Sequence, residues 1–125
     1  MQDAQVSLTL HPPALTRGAV RVEIGQLTAV ILQRLLKEEP MVALPNETLR
    51  EFLENVGLDF PAPLQMRALI KQLREDMRLV GVDNPVLQVG GGLMLNRHVQ
   101  VVCDEDDGPD LLDVIYTGLI PNQKH

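Results

Sequence analysis

The chain has 125 residues, 45% of them hydrophobic, and a formal net charge of −6. That length suits one domain with a real core, and the apolar content excludes disorder as the starting assumption. Phe52, Phe60 and Tyr116 are the only aromatic residues, so the core has to be aliphatic, and the stacking platforms on which single-stranded nucleic acid binding depends are missing.

Val6, Leu8 and Leu10 alternate with polar residues, the period of a half-buried strand. His11-Pro12-Pro13 ends that strand, because two prolines cannot continue a ladder. After a turn at Thr16-Arg17-Gly18, Val20, Val22 and Ile24 alternate again, and the two strands are expected to pair as a small N-terminal sheet. Residues 27–37 change period: Leu27, Val30, Ile31 and Leu35 share one helical face, widened by Leu32 and Leu36. Pro40 closes this helix. Pro45-Asn46-Glu47 starts the next one, with Leu49, Phe52, Leu53 and Val56 as its apolar stripe and Gly57 as its stop. Residues 58–63 form a short loop.

The third helix, residues 64–80, sorts its side chains most cleanly. Met66, Leu69, Ile70, Leu73, Met77 and Val80 fall on one arc. Arg67, Lys71, Arg74 and Arg78 fall on a second, narrow arc beside it, at the spacing of helical ridges. Residues 64–100 carry five basic and three acidic groups, for +2, whereas residues 101–125 carry one basic and six acidic, for −5. A uniformly acidic protein is repelled by duplex phosphates, but the local field decides within a Debye length. The basic stripe therefore makes DNA the first partner to consider.

Gly81 stops the third helix. Residues 86–89 read as a strand, Gly90-Gly91-Gly92 as a tight turn and residues 93–95 as the returning strand; residues 99–103 are β-prone. Residues 104–110 form an acidic loop, and a last short helix runs from there through Tyr116 to a stop at Gly118. The expected architecture is α+β: N-terminal strands, three helices and a C-terminal hairpin over residues 1–96, then an extension over 97–125 with an extra strand and a short helix. Three helices followed by a hairpin is the plan of a winged helix-turn-helix, in which the third helix enters the major groove.

Residues 20–95 resemble the DNA-binding domain of OmpR/PhoB-type response regulators, also used by ToxR-like activators. The segments that carry the resemblance are LTAVILQRLL, EEPMVALPNETLREFL and LIKQLREDMRLVG. Ile70-x-x-Leu73-Arg74-x-x-Met77 is similar to the family's I-x-x-L-R-x-x-L signature, and Gly90-x-Gly92-Leu93-x-Leu95 to its G-x-G-Y-x-L wing. Leu93 replaces the wing aromatic, and Gln88 and Val89 stand where a basic residue is usual. No receiver domain is seen ahead of the fold, so no phosphorylation site is implied, and the family has no counterpart to the tail after Leu95.

The resemblance implies a sequence-specific regulator of transcription that binds double-stranded DNA. It places Lys71, Gln72 and Arg74 at DNA-contacting positions. Arg67 and Arg78 lie on the same side, within reach of phosphates; Arg and Lys position a protein or read guanine, and Gln reads adenine. Arg97 and His98 follow the wing, where the expected contact is the minor groove or the backbone; the plainer and preferred reading is an exposed strand end. Glu75 lies near the groove-facing side and repels phosphate unless it accepts from cytosine; the plainer reading is a solvated face on which it pairs with Lys71 or Arg78. Paired half-sites imply a homodimer, and Leu111, Leu112, Ile115 and Leu119 supply an apolar surface for a dimer or for a protein partner through residues 97–125. The alternative is a winged helix turned to protein–protein binding, an adaptor or assembly subunit, favoured by the acidic balance, the neutral wing and the tail. A third idea is that the acidic tail covers the basic helix when DNA is absent.

Chemistry of other kinds finds little here. Asp104, Glu105, Asp106, Asp107 and Asp110 do not match a calcium loop, because Gly108 and Pro109 fall in the wrong places. His11, His98 and His125 lack metal-ligand spacing. Cys103 is the one cysteine, which excludes an internal disulfide, fits a reducing compartment and has no evident base to make it a nucleophile. No phosphate-binding glycine loop is present, so neither a cofactor nor enzymatic activity is expected. No apolar run reaches spanning length and no basic head precedes an apolar run at the N-terminus, so a membrane partner is not expected and the cytoplasm is the expected location.

Overall fold

The computed structural model describes residues 5–103. Over these described residues the protein is α+β, with three helices and two sheets. The final helix and the acidic loop expected over residues 104–118 lie outside the described residues.

Strand β1 (Val6–Leu10) buries Val6, Leu8 and Leu10 and exposes the residues between them more, as the alternation predicts. Its partner is not the strand at residue 20. A strand β2 (Pro13–Arg17) intervenes, paired antiparallel with β1 from Leu10↔Pro13 to Ser7↔Thr16. The double proline does not break the sheet. Pro13 is the first residue of its strand, a place where a missing N–H is tolerated, so His11-Pro12 is left as the tight turn. Thr9 Oγ1 steadies that turn by donating to the Pro12 carbonyl at 3.0 Å. Thr16 and Arg17 are strand residues, and the next turn comes at Gly18, with φ 60°. Strand β3 (Val20–Glu23) then pairs antiparallel with β2.

Helix α1 (Gln26–Leu35) buries Ala29, Val30, Ile31, Leu32 and Leu35. A helix this apolar on several faces needs neighbours on several sides, and it packs on β1 and β2, on the second helix and on the returning strand of the hairpin. Strand β4 (Leu44–Pro45) precedes α2 (Asn46–Asn55), whose buried residues are Leu49 and Leu53. Gly57, with φ 83°, turns the chain out of α2 in a conformation that disfavours other residues.

Helix α3 (Pro63–Leu79) begins with proline at its first position, where the absent N–H costs nothing. The Ala62 amide ahead of it donates to Gln65 Oε1 at 3.0 Å. Met66, Ile70, Leu73 and Met77 are buried, with Val80 behind them, the arc read from the sequence. At the far end Gly81 has φ 85°, and Arg17 Nη1 donates to the Val80 carbonyl at 3.0 Å. A cation on the last carbonyls of a helix also answers its dipole.

Strands β5 (Val86–Val89) and β6 (Gly92–Leu95) form the hairpin, and β4 adds to it in the order β4-β6-β5. Gly92 is where β4 comes closest: a Cβ there would lie 2.5 Å from the Leu44 carbonyl oxygen. Strand β7 (Val101–Cys103) then runs parallel to β1 and completes the first sheet as β3-β2-β1-β7. The core is aliphatic throughout, from Leu8 and Leu15 through Ile31 and Leu35 to Leu73, Met77 and Leu93.

Candidate nucleic-acid interface

The basic stripe lies on the flank of α3 that faces the hairpin. Arg74 fixes this relation. It is half-buried, and its guanidinium donates from Nε at 3.2 Å and from Nη2 at 2.8 Å to the carbonyl of Val86. Two turns earlier, Arg67 shares a cleft with Gln88 and Val89 of β5. Helix α3 and strand β5 therefore run in opposite directions along one seam. The 1.5 Å rise of a helix carries position 67 to 74 over roughly the same distance, about 10 Å, as three residues of strand.

The predicted residues divide into three groups along this seam. Arg67 and Lys71 are exposed and have no ion-pair or hydrogen-bond partner among the described residues. Arg78 is also exposed, but pairs with Asp83 Oδ1 at 3.3 Å, not with Glu75. Those two side chains are 69% and 80% exposed, so solvent screens the pair and it contributes at most about 1 kcal/mol. Arg74 is different: its half-burial and its two bonds to one carbonyl make it a clamp between helix and hairpin, although a guanidinium has further N–H groups to offer.

Gln72 sits about 100° around the helix from Lys71. It is exposed and donates to Asp76 Oδ1 at 3.1 Å. With it on the outermost face are Ala68, Leu64 (73% exposed) and Leu79 (65% exposed). The apex of α3 therefore carries no cation, and the charge it does carry is that of exposed Glu75, which lies between Leu64 and Ala68 around the helix. Arg97 is exposed beyond the end of β6, its backbone N–H donating to its neighbour Asn96 Oδ1 at 2.8 Å. His98 Nε2 lies 2.6 Å from the Asp83 carbonyl oxygen, which ties the end of the hairpin to the loop after α3.

Arg50 is the basic residue that the charge pattern did not single out. It projects from α2, and its guanidinium carbon lies 4.5 Å from the centre of the Phe60 ring, a cation–π distance. Arg50 and Arg67 both line a cleft of about 470 Å³ between the starts of α2 and α3 and the hairpin tip. On α2 alone, Arg50 is one more solvated side chain. Only the docking of α2 against the loop that holds Phe60 brings it toward Arg67, and no local sequence signal marks that pairing.

Among the described residues no three His, Cys, Asp or Glu side chains gather as metal ligands. No described helix is long and apolar enough to cross a membrane. Compared with protein-family models, with curated proteins and with solved structures, the chain matches none.

Proposed function

We propose that this chain is a winged helix-turn-helix domain that binds double-stranded DNA sequence-specifically and regulates transcription, with α2 and α3 as the helix-turn-helix, α3 as recognition helix and β5–β6 as wing. The observation that carries the reading is the row of exposed, cationic side chains Arg67, Lys71 and Arg78 on the flank of α3 beside the hairpin. Such a row suits one strand's phosphates, with the hairpin alongside to fix the approach. Arg74 supports the reading indirectly, because a helix clamped to its neighbour presents its charges in a fixed geometry. Arg97 extends the row past the hairpin, and Gln72 is the residue placed to read a base edge. The domain acts as a homodimer on paired half-sites in the cytoplasm.

The second reading, a winged-helix adaptor that binds protein and not DNA, is favoured by one observation of its own. The apex of α3, where a recognition helix meets base edges, presents Leu64, Ala68, Glu75 and Leu79 and no cation, and the hairpin strands carry no basic side chain. Selection of duplexes from a random pool separates the two. Enrichment of a defined motif, lost when Gln72 and Lys71 are replaced by Ala, supports the regulator. No enrichment after several rounds supports the adaptor.

A further inference from the structure

We infer that the cleft between α2, α3 and the hairpin tip is a phosphate-binding site, with Arg50 and Arg67 as its ligands. The inference extends the DNA reading and rests on it only for the source of the phosphate. Four observations carry it. The cleft, at about 470 Å³, is of the size that holds a small ligand or a group of a larger one. Arg50 and Arg67 enter it from two different helices, and neither has an ion pair among the described residues. Among the described residues no carboxylate lines this cleft, where the neutral donors Asn46 and Gln88 stand instead. A second cleft, of about 380 Å³ beside Leu27 and Leu69, makes the contrast: it is largely apolar and its one charged residue is Asp59.

The ligand class follows from the side chains. A guanidinium presents a planar fork of N–H donors that matches the paired oxygens of a phosphate, and two forks fit a tetrahedral anion better than a planar carboxylate. Stacking on Phe60 at 4.5 Å orients the Arg50 fork, so less side-chain freedom is lost on binding. At the hairpin tip, Gly91 has open space where a side chain would stand, which leaves the mouth of the cleft clear for a phosphate attached to a larger body. Backbone diester and free phosphate share this chemistry.

The test is an amide NMR titration of the full chain with inorganic phosphate at constant ionic strength. It is run beside duplex affinity measured at several salt concentrations, on the parent and on Arg50→Gln and Arg67→Gln. The expected result is saturable shifts at Gly91, Gly92 and Ala62, lost in both variants while the rest of the spectrum is unchanged. If the phosphate is that of a DNA backbone, Arg50→Gln also weakens duplex binding several-fold and lowers the salt slope by about 0.9, the value for one phosphate contact. Cleft shifts with duplex affinity untouched in Arg50→Gln keep the site and assign it to a free phosphate ligand. Cleft shifts with no duplex binding by any form keep the site and remove the DNA reading. Shifts that are absent, spread evenly over the surface or retained in Arg50→Gln overturn the site, and duplex binding then stands or falls on its own.

Discussion

Arg74 donates two hydrogen bonds, 3.2 and 2.8 Å, to the backbone carbonyl of Val86, and through them the third helix holds the hairpin beside it. A charged donor on a partly buried carbonyl is stronger than a neutral one, and losing it strands an acceptor. Arg74→Ala is expected to destabilise the domain by about 1–3 kcal/mol, read from the urea midpoint. Arg67→Ala and Lys71→Ala, on the same stripe but exposed, should stay within about 0.5 kcal/mol. Equal effects at the three positions would remove the distinction between clamp and contact.

Gly92 exists for the approach of β4. Adding a methyl group there brings it to 2.5 Å from the Leu44 carbonyl oxygen, and backbone cannot rotate away as a side chain can. Gly92→Ala should cost about 1–3 kcal/mol, as overpacking does. Gly90→Ala meets nothing within 4 Å and should leave the midpoint almost unchanged. Thermal denaturation of the two variants side by side checks this.

The end of α3 depends on Arg17, sixty-three residues away in sequence. Its bond to the Val80 carbonyl joins the first sheet to the last turn of the helix. Arg17→Ala is expected to lower stability by about 1–2 kcal/mol. It should also speed hydrogen exchange in the last turn of α3 more than in the first, since the bond holds only that end. Uniform exchange along the helix would contradict the cap.

Gln33 on α1 is 2% exposed, and its amide nitrogen has no hydrogen-bond partner among the described residues. A buried donor without an acceptor is a standing cost. Gln33→Met, close in shape, should raise the unfolding free energy by about 1 kcal/mol. A lower denaturant midpoint would mean that the amide is satisfied after all.

Both faces of α3 and the hairpin were legible in the sequence, because one long amphipathic period and three consecutive glycines are strong local signals. Strand β2 was not legible. Its prolines lie at the turn and at the first strand position, and its Thr-Arg-Gly end resembles a turn, so local punctuation concealed a tertiary pairing. Strand β4 is two residues long and exists only because β6 is beside it. The stripe of four cations was visible, but its division was not. Arg74 and Arg78 obey the same spacing, and only the position of Val86 and Asp83 shows that one clamps the hairpin and the other meets solvent. Arg50 needed the packing of α2 on the Phe60 loop before it counted at all.

On the proposed reading, the exposed flank of α3 carries the duplex. Fluorescence anisotropy on a mixed-sequence duplex at about 50 and about 200 mM salt tests it most directly, with Arg67→Ala/Lys71→Ala/Arg78→Ala beside the parent and Arg74 left in place to keep the fold. The predicted result is binding that weakens steeply with salt and is lost in the triple variant at unchanged stability. Binding of equal strength and salt dependence in the two proteins, or none in the parent at the lower salt, would contradict it.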